Sequence, residues 1–150
     1  MLTITLDELD KKILNTLIEN CRLSYRQIAK KLKVSVATVM HRIKRLERCG
    51  IIKNYTITLD YEKLGFDIEV LIEVRISQGK LFEVERKIAF HNNVFAVYDL
   101  TGNFDAAILA RFKSRREMDN LLKRIQTYDF VERTNTRLIL NTIKEKQIKV

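Results

Sequence analysis

The stretch Ser24–Gly50, SYRQIAKKLKVSVATVMHRIKRLERCG, decides the reading of this chain. Ser24 with Gln27 three residues on is a capping-box pattern, in which hydroxyl and amide side chains satisfy each other's backbone N–H groups. It opens a short helix with Ile28 and Ala29 inward, expected to stop near Lys31 or Leu32. Leu32-Lys33-Val34 reads as a turn. Ser35 then caps a longer helix whose apolar stripe is Val36, Val39, Ile43 and Leu46, and Gly50 stands where a left-handed C-terminal cap belongs. A short helix, a three-residue turn and a longer basic helix form the pattern of a helix-turn-helix, whose second helix enters the major groove of DNA. The small Ala29 lets the two helices approach closely where they cross.

Upstream, Thr5 and Glu8 make another box-like pair, and Leu6, Leu9, Ile13 and Leu17 recur at helical spacing to about Asn20, predicting a first helix. The charge of this region is lopsided. The chain carries a formal net charge of +9, and residues 1–58 hold twelve basic and five acidic residues, whereas residues 59–150 are nearly balanced. Between Arg22 and Lys53 ten basic residues face one acid, Glu47. A solvated helix normally mixes signs for mutual support, so this excess points to a polyanionic partner.

With Val39 and Ile43 facing the core, the 100° helical step places Ala37, His41, Lys44 and Arg48 on the opposite face, flanked by Thr38, Arg42 and Arg45. Ser24, with Tyr25 and Arg26 behind it, and Ser35 mark helix N-termini, where backbone N–H groups bind phosphates. These eleven residues are the expected DNA contacts. Arginine and lysine reach guanine edges or phosphate, Thr38 reaches base or backbone, and Ala37 can touch a thymine methyl.

Downstream, Ile51–Leu59 is rich in β-branched residues and predicts a linking strand, followed by a turn over Tyr61–Phe66. Val70, Ile72, Val74 and Ile76 alternate with Leu71, Glu73 and Arg75, the period of a half-buried strand. A helix follows with Leu81, Val84 and Ile88 inward. Val94–Leu100 and Ala106–Phe112 read as antiparallel strands joined by the loop Thr101–Asp105. Ser114 and Glu117 cap a helix carrying Met118, Leu121, Leu122 and Ile125, and a last strand is expected from about Val131 to Ile143. The order β-α-β-β-α-β is ferredoxin-like, an antiparallel sheet with both helices on one face. Leu71, Leu109, Leu138 and Leu140 are assigned to the other face, which would then be covered by a second subunit.

At 150 residues the chain has room for two small domains, and its 46% hydrophobic and 31% charged composition suits a folded protein. Cys21 and Cys49 stand alone, without CxxC or His spacing, so neither a disulfide framework nor a zinc site is expected. No segment reads as a membrane span or export signal, and a cytoplasmic location is expected. The only histidines are His41 and His91, and the sequence contains no Gly-rich phosphate loop or nucleophile elbow, so an enzyme is not expected.

Taken together, LDELDKKIL (Leu6–Leu14), SYRQIAKKLKVSVATVMHRIKRLERCGII (Ser24–Ile52), YEKLGF (Tyr61–Phe66), TGNFD (Thr101–Asp105) and VERTNTRLILNTIKE (Val131–Glu145) resemble the Lrp/AsnC family, the feast/famine transcription regulators. The resemblance implies a helix-turn-helix domain, a β linker and a regulatory domain, with dimers associating into larger, often octameric, discs around which DNA wraps. It also implies an amino acid or related metabolite bound between dimers, near the loop Thr101, Gly102, Asn103 and Asp105 and the strand residues Thr134 and Thr136. This chain departs from the pattern at Lys33, where many relatives have glycine, and at Ala37-Thr38 and Asn92, where prolines are common. It also departs at Asn103-Phe104 in the ligand loop, so neither operator nor effector is carried over.

The expected architecture is therefore α+β: a helix-turn-helix domain over residues 1–52, a β linker over 53–66, and a ferredoxin-like regulatory and oligomerisation domain over 67–150. The expected partners are double-stranded DNA, further copies of the chain as a dimer and octamer, and an amino-acid effector, with no other cofactor. The competing reading is an architectural protein that wraps DNA with little sequence preference.

Overall fold

The computed structural model describes residues 5–77 and 79–150; residues 1–4 of the expected first domain and Gln78 lie outside it. The chain divides into two compact units, one running up to Thr58 and including Lys144–Val150, the other Leu59–Ile143. The first boundary thus falls within the expected linker. The last seven residues, expected in the second domain, belong with the first.

In the first unit, α1 (Glu8–Glu19), α2 (Tyr25–Leu32) and α3 (Val36–Arg48) close around Ile13, Leu14, Ile28, Ala29, Val39, Ile43 and Leu46. Each fully buried aliphatic side chain here contributes about 1.5–3 kcal/mol. The cap of α1 is not the expected Thr5–Glu8 pair. Asp7 is the N-cap, its carboxylate accepting from the Asp10 amide at 2.9 Å while Asp10 accepts from the Asp7 amide at 3.1 Å. Aspartate serves at both positions, and Glu8 instead pairs with Lys11 at 2.8 Å. The Ser24–Gln27 box forms as expected. Lys33 ends α2 at φ 57°, ψ 45°, in the left-handed region that favours glycine. The Val34 amide closes this turn on the Ala29 carbonyl at 3.1 Å. On α3 the stripe is narrower than expected: Val39, Ile43 and Leu46 are buried, but Val36, in the first turn, is exposed.

The strand expected over Ile51–Leu59 does not form among the described residues: residues 51–52 are bends, and residues 53–59 have no regular structure and pair with no strand. Their anchors are side-chain contacts, including Tyr55 Oη donating to Glu47 at 2.8 Å. The segment Lys144–Val150 lies along α1. Asn15 bonds the Val150 backbone on both sides, at 2.8 and 2.9 Å, and Glu19, bonded to Lys149 and Lys31, is held down to about 2.

The second unit is a sheet of order β2-β3-β1-β4, built from β1 (Ile68–Ile76), β2 (Val94–Asp99), β3 (Ala106–Phe112) and β4 (Val131–Leu138). Every pairing is antiparallel. The helices α4 (Leu81–Ala89) and α5 (Arg115–Gln126) pack Val84, Ile88, Leu121 and Ile125 onto Val70, Ile72, Val74 and Phe112. This is the ferredoxin-like arrangement expected. β4 stops at Leu138, five residues before the expected end.

The register corrects the expected open face. Leu71 opposes Leu109, and both lie half-buried there. Leu138 opposes Val70 and so shares the helix-covered side, while Leu140 lies beyond the strand. Much of the open face is instead a charge ladder, with Arg111 on Glu69 at 2.7 Å and Arg137 on Glu73 at 3.1 Å.

Two stability predictions follow from local chemistry. Replacing Lys33 with Gly should relieve the left-handed strain and raise stability by about 0.5–1 kcal/mol, read from chemical denaturation of the first unit's transition. In the second unit, burial and the neighbouring Asp99 push the Glu85 carboxyl up to about 7. The folded state therefore favours the protonated form, and stability should fall as pH rises from the usual glutamate range through about 7. Glu85→Gln should flatten that decline in melting temperatures measured from pH 5 to 8; an unchanged slope would exclude Glu85 as its source.

Candidate nucleic-acid interface

The geometry of α3 is set from α1. Asp10 lies on the same helical stripe as Ile13 and Leu14 and is fully buried. An isolated carboxylate there would be prohibitively desolvated, so it must be paired. Arg45 bonds its Oδ2, and Arg42 reaches its Oδ1 at 3.2 Å while also gripping Asp7. Two guanidiniums thus close on two carboxylates that already cap each other. The Asp10 amide bond to Asp7, followed by the Arg42 guanidinium, lowers the Asp7 carboxyl below its usual range.

Two of the expected DNA contacts take part in this arrangement. Arg42 and Arg45 hold α1 through their guanidiniums and act as braces. Sequence reasoning missed their partners, although the signal was present: Asp10 stands three residues before Ile13 and four after Leu6, inside the apolar stripe. A carboxylate at such a position demands a buried cation.

The remaining expected contacts form the face pointing away from the core. Ala37, His41, Lys44 and Arg48 are all exposed along α3. Ser35 Oγ accepts from the Thr38 amide at 3.0 Å and meets Thr38 Oγ1 at 2.8 Å, so both hydroxyls are engaged in the cap. Ser24 is likewise engaged with Gln27. What these caps offer a phosphate is backbone: the first N–H groups of α2 and α3 have no intrahelical acceptor. Arg26 is exposed beside the first of these ends. Tyr25 instead lines a hollow with Leu17, Cys21, Ile43 and Tyr55.

The residues expected around an effector lie in the β2–β3 loop and on β4. Gly102 has φ 110°, a conformation that requires glycine irrespective of ligand. Asp105 Oδ2 accepts from the Ile76 amide at 2.7 Å, just beyond the last β1–β3 pair, Val74–Ala106. Its Oδ1 pairs with Arg75 at 3.3 Å, and its own amide donates to the Val74 carbonyl at 2.9 Å. Asp105 therefore fastens the loop to β1. Thr101 and Asn103 remain exposed. Thr134 and Thr136 oppose Val74 and Ile72, which puts them on the helix-covered side, where Gln126 donates to Thr134 at 3.4 Å. Phe104, not among the expected site residues, links loop and strand through Arg133, which stacks on its ring at 4.8 Å.

A three-helix unit with a basic exposed recognition helix, and a ferredoxin-like second unit, define a helix-turn-helix DNA-binding protein with a separate α+β module. Comparison with known proteins gives the family. A winged helix-turn-helix DNA-binding model matches residues 6–53, and an Lrp/AsnC ligand binding domain model matches residues 69–148. The chain is 46% identical to an HTH-type transcriptional regulator of Pyrococcus furiosus, over 93% of this chain and 95% of that one. Its fold is similar to that of Escherichia coli AsnC, with a TM-score of 0.90 at 27% identity over 98% and 100% of the two chains. It is also similar to that of a Neisseria meningitidis transcriptional regulator solved with L-Met, with a TM-score of 0.87 at 26% identity over 95% and 94%. The chain belongs to the Lrp/AsnC family: it is a DNA-binding transcription regulator, not an enzyme.

The division between braces and exposed face makes a paired prediction. Asp10→Ala should cost about 2 kcal/mol, below the roughly 3–5 kcal/mol of a fully buried pair because both guanidiniums remain partly solvated. Lys44→Ala should leave the melting temperature in place while weakening DNA binding, with the salt slope of the affinity falling by about 1. Differential scanning fluorimetry and binding titrations over a salt series separate the two outcomes.

Proposed function

We propose that this regulator is a homo-oligomer that reads paired half-sites in DNA with α3 and answers to an amino acid or related small metabolite through its second unit. The observation that carries the DNA reading is the exposed row His41, Lys44 and Arg48 on a helix held rigid by Asp10. A recognition helix locked to its neighbour loses little further freedom on docking, which favours base discrimination over diffuse charge attraction.

Effector binding is supported by the match to a ligand binding domain and by the L-Met complex of the Neisseria relative. No other cofactor is proposed. Thr101 and Asn103, exposed in the loop, are the groups offered to an effector, while Gly102 and Asp105 shape the loop that presents them. Thr134 and Thr136 contribute by positioning the neighbouring strand. Self-association through the open sheet face, where Leu71 and Leu109 are only half-buried, gives the dimer, and further association an octamer. An effector then acts by binding one assembly state more tightly than another, since equal affinity for both would shift nothing. As a regulator of transcription it works where the DNA is, in the cytoplasm.

The test is a footprint on DNA upstream of its own gene, with competitor DNA and with or without a mixed amino-acid pool. Discrete protection repeated at the helical turn, surviving about 10³-fold competition, is expected, together with a change on adding the pool. Featureless protection abolished by competitor would instead establish an architectural protein.

A further inference from the structure

At the C-terminal ends of α4 and α5 lies a cleft of about 300 Å³ lined by Lys87, Phe90, His91, Asn92, Asn93, Arg124 and Tyr128. None of the loop, strand or recognition-helix residues above takes part in it. Its lining holds two permanent cations and no carboxylate. Lys87 is shared with Glu83 at 3.1 Å and lies 5.9 Å from the Tyr128 ring centroid, whereas Arg124 carries no ion pair among the described residues.

His91 is oriented toward a definite role. Its Nδ1 accepts from the Asn93 amide at 3.3 Å, so the neutral ring carries its proton on Nε2 and presents a donor. Burial, and then the charge of Arg124, hold it below the usual histidine range. Beside these polar groups Phe90 is 83% exposed, an aromatic ring left open to solvent at the margin of a charged cleft. The favourable placement of cations at helix C-termini accounts for one basic residue per helix. It does not account for their convergence with a histidine donor over a hollow beside an open aromatic face.

We propose that this cleft binds a small phosphate monoester with a planar organic group, the chemistry of a nucleoside monophosphate. Lys87 and Arg124 balance the two phosphate charges, His91 Nε2–H donates to a phosphate oxygen, and the base stacks on Phe90. The site is separate from the loop at Thr101–Asp105, so it is a second input to the regulatory unit.

Calorimetric titration of the full chain with AMP, inorganic phosphate and adenosine tests this. AMP should bind in the sub-millimolar range, phosphate about tenfold more weakly, and adenosine not measurably. Arg124→Ala should lower AMP affinity about tenfold or more, and Phe90→Ala should weaken AMP while leaving phosphate unchanged, both with unaltered melting temperatures. Absence of binding at millimolar AMP, or AMP binding indifferent to Arg124→Ala, would overturn the proposal. So would a chain that ignores AMP but loses DNA affinity in Arg124→Ala, since the phosphate recognised would then be that of the duplex.

Discussion

A fully buried carboxylate, Asp10, fixes the first unit. Around it, the N-cap of α1, two arginines of α3 and the stripe containing Ile13 and Leu14 all have to agree in register. Hydrophobic contacts alone would tolerate small slides of α3 on α1, since dispersion is nearly non-directional. Hydrogen bonds between planar guanidinium and carboxylate groups do not. The same helix therefore devotes one edge to self-definition and the opposite edge to the partner. Its positive charge exceeds what the fold consumes.

In the second unit the comparable constraint is the β1–Asp105 junction. The pairing of β1 with β3 ends at Val74–Ala106, so the Ile76 amide on that side has no strand carbonyl opposite it, and Asp105 supplies the acceptor. A buried amide without a partner is expensive, so this aspartate has structural work irrespective of any ligand. Gly102 is explained likewise by its backbone. Residues that match a family's ligand loop are here the frame of that loop, and the groups facing outward, Thr101 and Asn103, are less distinctive in sequence.

Much of the architecture was legible because local signals agreed with the global fold. The Ser24–Gln27 box, the turn around Lys33, the alternation from Val70 to Ile76 and the Ser114 cap all formed where the residues indicated. The errors cluster at ends and faces. The box of α1 was displaced because Asp7–Asp10 outcompeted Thr5–Glu8, two overlapping candidates for one cap. Residues 53–59 have strand composition without a strand partner, because β-propensity describes a surface that another strand must complete. Leu138 was assigned to the wrong face because its parity is set by pairing with Val70, a fact of register.

By itself the sequence determined that a helix-turn-helix precedes a βαββαβ module, which segments supply the helices and sheet strands of the two, and that the basic charge gathers on the first. Periodicity, caps and charge are properties of residues close in the chain, so they can be read along it. Only the tertiary structure decided which arginines of α3 face the α1 carboxylates and which face outward, and that Asp105 belongs to β1. It also brought Lys87, His91 and Arg124 around one cleft. Those assignments depend on groups from different elements, mostly about thirty residues apart in the chain, meeting in space, and neither spacing nor composition encodes that meeting.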